Sequence, residues 1–324
     1  MVAVAVASGR DLDAWASDLA ANQIDLDDPV MLALVLGLIA LMIPCVLVPV
    51  RVLWPRHSGY LHSVDGRLRW RWLARCTAWA FVIVTAALAL SIAVALVADP
   101  DSVHPILPGA TALASLAVVV LVVPFQAAGE EYVFRGAVMQ LVGSWTRWAV
   151  FPVLVSTLLF ALSHGYEFWG LVSVGVFGLF AAVITIRTGG LEGAIGLHIA
   201  NNVVLMVLDI LGLVDSSGEG ASAVGDVLPT VALALVYWLV LERAARRAGL
   251  HRSRAPLADP PSAGPRPPVV PPPPYVPPGV APGVGPTGTP PSGTAPVVPP
   301  PPYVPPRIAP QSPSYPGDPG AWGR

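Results

Sequence analysis

The sequence predicts an all-α, polytopic membrane protein with about seven transmembrane helices and a disordered, proline-rich C-terminal tail. Hydrophobic residues make up 54% of the chain and charged residues only 12%, and the mean hydropathy is +0.66. About a quarter of the residues in a soluble domain are charged, so this composition is not that of an ordinary soluble protein. Most of the 37 prolines follow residue 254, where the apolar segments have ended.

The chain begins with an acidic segment, residues 1–28, which carries six aspartates and one arginine. The first predicted span, Pro29–Val50, would be about 33 Å long as a helix and matches a hydrocarbon core of about 30 Å. A loop with six arginines follows, and the second span runs from Cys76 to Ala98. The arginines are Arg51, Arg56, Arg67, Arg69, Arg71 and Arg75. We treat residues 29–105 as one N-terminal region.

The predicted core, residues 106–242, contains the remaining apolar segments. They are Ile106–Trp145, Phe151–Ser163, Phe168–Ile186, Leu191–Val214 and Val227–Leu241. As one straight helix, Ile106–Trp145 would be about 60 Å long, twice the membrane thickness. We therefore expect it to break at Pro124 and Gly136. A re-entrant segment or an eighth span around residues 124–147 is the alternative.

Arginine placement predicts the orientation in the cell membrane. The loop after the first span and the segment after the last one are both rich in arginine, which favours the cytoplasmic side. The second group is Arg243, Arg246, Arg247, Arg252 and Arg254. Seven spans then place the N-terminus outside and the C-terminal tail in the cytoplasm.

Residues 243–324 form a basic juxtamembrane segment and a tail that cannot bury a core and should sample polyproline II. The segment Pro268–Pro278 is repeated at Pro296–Pro306, and each copy contains a Pro-Pro-x-Tyr sequence that ends at Tyr275 or Tyr303. Such sequences can dock into aromatic-lined grooves of a partner protein. A low-complexity spacer is the simpler interpretation. The net charge of −2 argues against a nucleic-acid partner.

The longest apolar segment is interrupted by the charged sequence Glu130-Glu131-Tyr-Val-Phe-Arg135. A charge at the centre of a membrane helix costs about 2.5–3.5 kcal/mol on insertion scales, and such residues usually mark a functional site. On a helix, Glu131 and Arg135 lie one turn apart and can pair. Glu130 is rotated by about 100° and is left without that partner.

Two further polar pairs lie on later apolar segments, Phe160 with His164 and His198 with Asn202. Each pair is spaced i, i+4 and therefore shares a helix face. Together, the Glu-Glu-x-x-x-Arg, Phe-x-x-x-His and His-x-x-x-Asn motifs resemble those of the CPBP (CAAX protease and bacteriocin-processing, or Abi) family of intramembrane proteases. The motifs occur in the family's order, 34 residues from Glu130 to His164 and 34 more to His198.

The resemblance, over about residues 106–213, implies an endopeptidase that cleaves a membrane-associated protein or peptide with glutamate-activated water. It implies that Glu130 is the base, that His164 positions the water, and that His198 and Asn202 stabilise the oxyanion. Glu131 and Arg135 would hold Glu130 in place, and Phe160 would pack against His164. Simple alternation of spans conflicts with this assignment, because it places His164 near the outer face and Glu130 near the inner one.

Each of these polar groups also has a non-catalytic interpretation. The acidic pair could end a helix at the interface, His164 could be a core histidine, and His198 with Asn202 could join two helices by hydrogen bonds. The whole chain could be a non-catalytic immunity or anchoring factor, or a proton-coupled transporter. No cofactor is favoured, although Glu130, His164 and His198 resemble a zinc site with one position left for water.

Overall fold

The computed structural model describes residues 26–216 and 221–253, and every regular element among them is helical. The predicted acidic segment lies mostly outside these residues, and the proline-rich tail with its two Pro-Pro-x-Tyr sequences lies wholly outside them. The helices are α1 (Pro29–Ala40), α2 (Met42–Leu53), α3 (Trp70–Ala98), α4 (Ala110–Glu131), α5 (Met139–Trp145), α6 (Val150–Leu162), α7 (Phe168–Thr188), α8 (Glu192–Ile210) and α9 (Leu228–Arg247). Between them lie a 3₁₀ turn, Ser58–Leu61, and two π-helical segments, Tyr132–Val138 and Ala223–Val227.

Six helical elements in the described residues are long and apolar enough to cross a membrane, and a seventh, Val150–Leu162, is shorter. This agrees with an integral, multi-pass membrane protein and confirms the all-α prediction for the described residues. The element boundaries differ from the predicted ones at several places. Helix α3 begins six residues before Cys76 and α9 continues to Arg247, so several arginines assigned to loops lie on helix ends.

Pro124 lies inside α4 without breaking it, so the break expected at this residue is wrong. Proline removes only one backbone N–H, and the surroundings of a membrane helix can compensate for this loss. Gly136 lies in the π-helical segment, where the turn is wider but the chain stays helical. Residues Ala110–Trp145 are therefore one continuous helical element with a π-helical insertion directly after Glu131.

Helix α8 is central to the bundle and packs against α3, α4 and α7. The backbones of α8 and α3 come close together at Gly196, where an added Cβ would lie 2.8 Å from the backbone nitrogen of Thr77 on α3. An apolar core that includes Trp72, Phe160 and Leu197 fills the space between α3, α6, α7, α8 and α9. Large apolar side chains such as Val97 are exposed on the outside, as expected for contact with lipid.

The arginine-rich loop after α2 folds against the turn between α7 and α8. Ser63 forms an isolated antiparallel bridge with Gly190. Arg69 donates from Nε and Nη2 to the two carboxylate oxygens of Glu192, over 2.8 and 2.7 Å. Burial would lower the pKa of Arg69, but the hydrogen bonds and charge of Glu192 outweigh it and raise that pKa. Glu192, the first residue of α8, was not predicted from the sequence as a partner for this loop.

The predicted orientation can be tested with reporters placed at the two ends of the chain. With seven crossings, a reporter inserted after Arg254 should be cytoplasmic and one inserted at residue 20 should be exterior, because each crossing changes the side. The measurement is a paired phosphatase and fluorescence reporter assay in intact cells. Two cytoplasmic ends would reject seven crossings and indicate an even number.

Candidate active site

The Glu-Glu-x-x-x-Arg motif contains a buried ion pair. Arg135 Nη1 donates to Glu131 Oε1 over 2.9 Å, and both side chains are fully buried. Arg135 also donates from Nη2 to the carbonyl oxygen of Gly178 on α7, over 3.0 Å. Its guanidinium lies 4.2 Å from the centre of the Phe160 ring. The predicted i, i+4 pair is present, and it is fixed to two further helices.

Gly178 leaves the space that this arrangement needs. An added Cβ there would lie 2.9 Å from Phe160 Cδ1 and 3.0 Å from Arg135 Nη2, closer than ordinary van der Waals contact. One turn earlier on α7, a Cβ on Gly175 would meet only the Cβ of Ala161, at 3.9 Å. Gly178 is therefore a required small residue, whereas Gly175 has room for a methyl group.

We expect Gly178→Ala to destabilise the protein by about 1–3 kcal/mol, the usual cost of an overpacked core. It should also reduce activity, because Arg135 and Phe160 must shift away from the new methyl group. Gly175→Ala is the matched control and should change neither property. Thermal unfolding in detergent measures the first effect, and equal midpoints for the two variants would contradict it.

His198 joins the two glutamates. Its Nδ1 lies 2.8 Å from Glu131 Oε1 and its Nε2 lies 3.4 Å from Glu130 Oε2. Because Glu131 also accepts from Arg135, its carboxylate holds the histidine ring in one orientation with Nε2 directed at Glu130. As predicted, Arg135 pairs with Glu131 and not with Glu130, and the Glu130 carboxylate faces the His198 ring of the neighbouring helix instead.

His164 follows the end of α6, and its Nδ1 lies 2.8 Å from the carbonyl oxygen of Phe160. That oxygen can only accept, so Nδ1 donates and Nε2 of the neutral ring is left as an acceptor. The ring packs edge-on against Phe160, 4.8 Å between centroids, which confirms the predicted packing.

The short helix α6 resolves the conflict between His164 and Glu130. The chain runs about 20 Å past Glu130 to the end of α5, and α6, with 13 residues, returns by about the same length. Ser156 Oγ on α6 donates to the carbonyl oxygen of Phe134 over 2.8 Å, so α6 runs back beside the π-helical segment and His164 returns towards the level of Glu130. The Phe160 ring lies between the two histidines, 5.7 Å from that of His198.

The structure adds two residues that were not predicted from the sequence. Asn202 Nδ2 donates to Oε1 of Gln126 over 3.2 Å, and Gln126 is buried one turn before Glu130. Tyr166 lies next to His164, with ring centroids 5.7 Å apart. The sequence contained a signal for Gln126, because a residue four positions before Glu130 shares its helix face. It contained no signal for Tyr166, which lies in a loop.

Residues 109–204 match the model of a protein family described as "Type II CAAX prenyl endopeptidase Rce1-like". The match confirms the resemblance indicated by the three motifs, and it contains Glu130, His164, His198 and Asn202.

The chain is also similar to an uncharacterised protein, YyaK, from Bacillus subtilis (strain 168). The two are 33% identical over 97 residues, which cover 28% of this chain and 32% of the relative. The chain therefore matches about a third of that relative's length. No solved structure matches the chain.

The Rce1-like region does not arrange the suggested zinc ligands as a metal site. Among residues 26–216 and 221–253, no three His, Cys, Asp or Glu side chains are grouped so that they could hold a metal ion. Both nitrogens of His198 face glutamates, and His164 Nδ1 faces a backbone carbonyl. In this arrangement Glu130, His164 and His198 do not fit a three-ligand zinc centre.

Proposed function

We propose that the chain is an intramembrane endopeptidase of the CAAX-protease type that hydrolyses a peptide bond in a membrane-associated protein or peptide. The observation that carries this proposal is the buried Glu130 carboxylate, which faces His198 Nε2 while Glu131 holds His198 Nδ1. Such a group of buried charges is costly in a membrane and usually has a function. The family of residues 109–204 supports the same reaction class.

Glu130 acts as the general base. Its buried Oε2 has no hydrogen-bond partner among the described residues and can accept a proton from water. His164 Nε2 accepts the second hydrogen of that water and so directs its oxygen at the substrate. The water oxygen bonds to the carbonyl carbon, and the carbonyl oxygen becomes an oxyanion.

His198 and Asn202 stabilise the oxyanion by donating from Nε2 and Nδ2. Protonated Glu130 next passes its proton to the leaving nitrogen, and the C–N bond breaks. The products are a new carboxyl terminus and a new amine, and Glu130 is again a carboxylate.

The substrate is a membrane-embedded or membrane-associated chain that reaches this site from the bilayer. We propose that the protein crosses the cell membrane seven times, with α6 as a short span and the C-terminal tail in the cytoplasm. We also propose that the two Pro-Pro-x-Tyr sequences bind an aromatic-lined groove of a partner protein.

The proposal is tested by comparing newly formed N-termini of membrane proteins in the native host. One strain carries the wild-type chain and the other carries Glu130→Gln. We expect a set of cleaved N-termini in the wild-type strain that disappears in the variant strain. Identical sets of N-termini would contradict the proposed function and favour a non-catalytic membrane factor.

A further inference from the structure

Helices α4 and α8 are joined by two polar contacts spaced one turn apart. Glu130 faces His198 at 3.4 Å, and four residues away on each helix Gln126 accepts from Asn202 at 3.2 Å. The residue numbers change in opposite directions, so the two helices run antiparallel at this point. The contact of Gln126 with Asn202 is thus the next contact along the interface between α4 and α8.

The interface between α4 and α8 becomes apolar beyond the contact of Gln126 with Asn202. Val119, Val123, Val203 and Ile210 belong to one buried cluster, together with the partly buried Val122 and Met206. Gln126 is therefore a buried amide at the boundary between the polar site and the apolar core, with 5% of its surface exposed. Leaving a buried amide without a hydrogen-bond partner is unfavourable, so this pairing fixes the orientation of both side chains.

The hydrogen bonds of Asn202 determine which of its atoms can contact a substrate. Its Oδ1 accepts from Asn201 Nδ2 over 3.2 Å, and its Nδ2 donates one hydrogen to Gln126. Nδ2 carries a second hydrogen, which points away from the first by the planar geometry of the amide. Without the Gln126 acceptor, the Asn202 amide could rotate and present its oxygen to an oxyanion, which would be repulsive.

We propose that Gln126 is a positioning residue that holds the Asn202 amide with an N–H directed at the substrate oxyanion. This inference rests on the proposed function and assigns to Gln126 a role that acts through Asn202 alone. The contact adds no new charge to the site, and the chemistry remains with Glu130, His198 and Asn202.

The test is Gln126→Met in the full-length chain, because methionine has a similar shape and no strong acceptor. The rate is measured in isolated membranes on the protein whose cleavage requires Glu130. We expect a 10- to 100-fold lower kcat with little change in KM, because about 1 Å of misplacement can cost up to about 10²-fold. In an Asn202→Ala background, Gln126→Met should cause no further loss.

Ser115→Ala is the matched control on the same helix. Ser115 is also buried and its Oγ has no hydrogen-bond partner among the described residues, so its loss should leave the rate unchanged. If Gln126→Met also lowers the thermal midpoint, Gln126→Glu separates the two effects. It keeps an oxygen acceptor for Asn202 and should therefore retain more of the wild-type rate than Gln126→Met.

A wild-type rate for Gln126→Met would overturn the inference, as would an equal loss in the wild-type and Asn202→Ala backgrounds. Either result leaves the proposed function intact if Glu130→Gln is inactive. Normal cleavage by Glu130→Gln would instead reject the proposed function itself.

Discussion

Glu130→Gln should lower the cleavage rate by at least about 10²- to 10⁴-fold, the usual effect of losing a general base. Glutamine keeps the shape and hydrogen-bonding capacity of glutamate but cannot accept a proton at neutral pH. The ion pair of Glu131 with Arg135 does not involve Glu130, so expression and thermal stability should change little. Quantitative mass spectrometry of the cleaved N-terminus in isolated membranes measures the rate.

Glu242→Gln provides a control for the loss of a carboxylate elsewhere in the chain. Glu242 lies near the end of α9 and pairs with Arg187 and Arg246, away from the candidate site. We expect this variant to cleave at the wild-type rate. Equal rates for Glu130→Gln and Glu242→Gln would show that Glu130 is not the base.

Glu131→Gln should lower the free energy of unfolding by about 3–5 kcal/mol, since it leaves the buried Arg135 cation without its carboxylate. Activity should fall as well, because His198 Nδ1 loses a charged acceptor at 2.8 Å and its ring is no longer held towards Glu130. Thermal unfolding in detergent and the cleavage rate measure the two effects. Loss of activity with unchanged stability would contradict the structural part of this role.

The same Glu242→Gln substitution is a matched control for stability. Glu242 also neutralises arginines, but Arg187 and Arg246 remain 37% and 66% exposed, whereas Arg135 is fully buried. Water can solvate the exposed arginines after the carboxylate is removed, so the expected loss is about 1 kcal/mol or less. A loss as large as that of Glu131→Gln would show that burial does not account for the effect.

Local periodicity predicted the contacts made within one turn of helix. The pair of Glu131 with Arg135 and the packing of Phe160 on His164 both follow from i, i+4 spacing, and both are present. The apolar segments also gave the positions of the helices, since length and hydropathy determine which segments can span a membrane. The motifs located the family region because they combine several such signals.

Contacts between distant parts of the chain could not be predicted in this way. Arg69 and Glu192 are separated by 123 positions, and Gln126 and Asn202 by 76. No periodicity links such residues, and each becomes a partner only when the helices pack. The uninterrupted helix at Pro124 has a similar cause, because the surroundings of a membrane helix, which are not visible in its own sequence, compensate for a missing N–H.

We propose that Glu130 activates a water molecule to hydrolyse a peptide bond. The most direct test uses the purified full-length protein in lipid vesicles, the membrane protein that it cleaves, and water enriched in ¹⁸O. We expect the wild-type chain to place one ¹⁸O atom in the new carboxyl terminus and Glu130→Gln to yield almost no product. Product without ¹⁸O, or labelled product from both proteins at similar rates, would contradict this proposal.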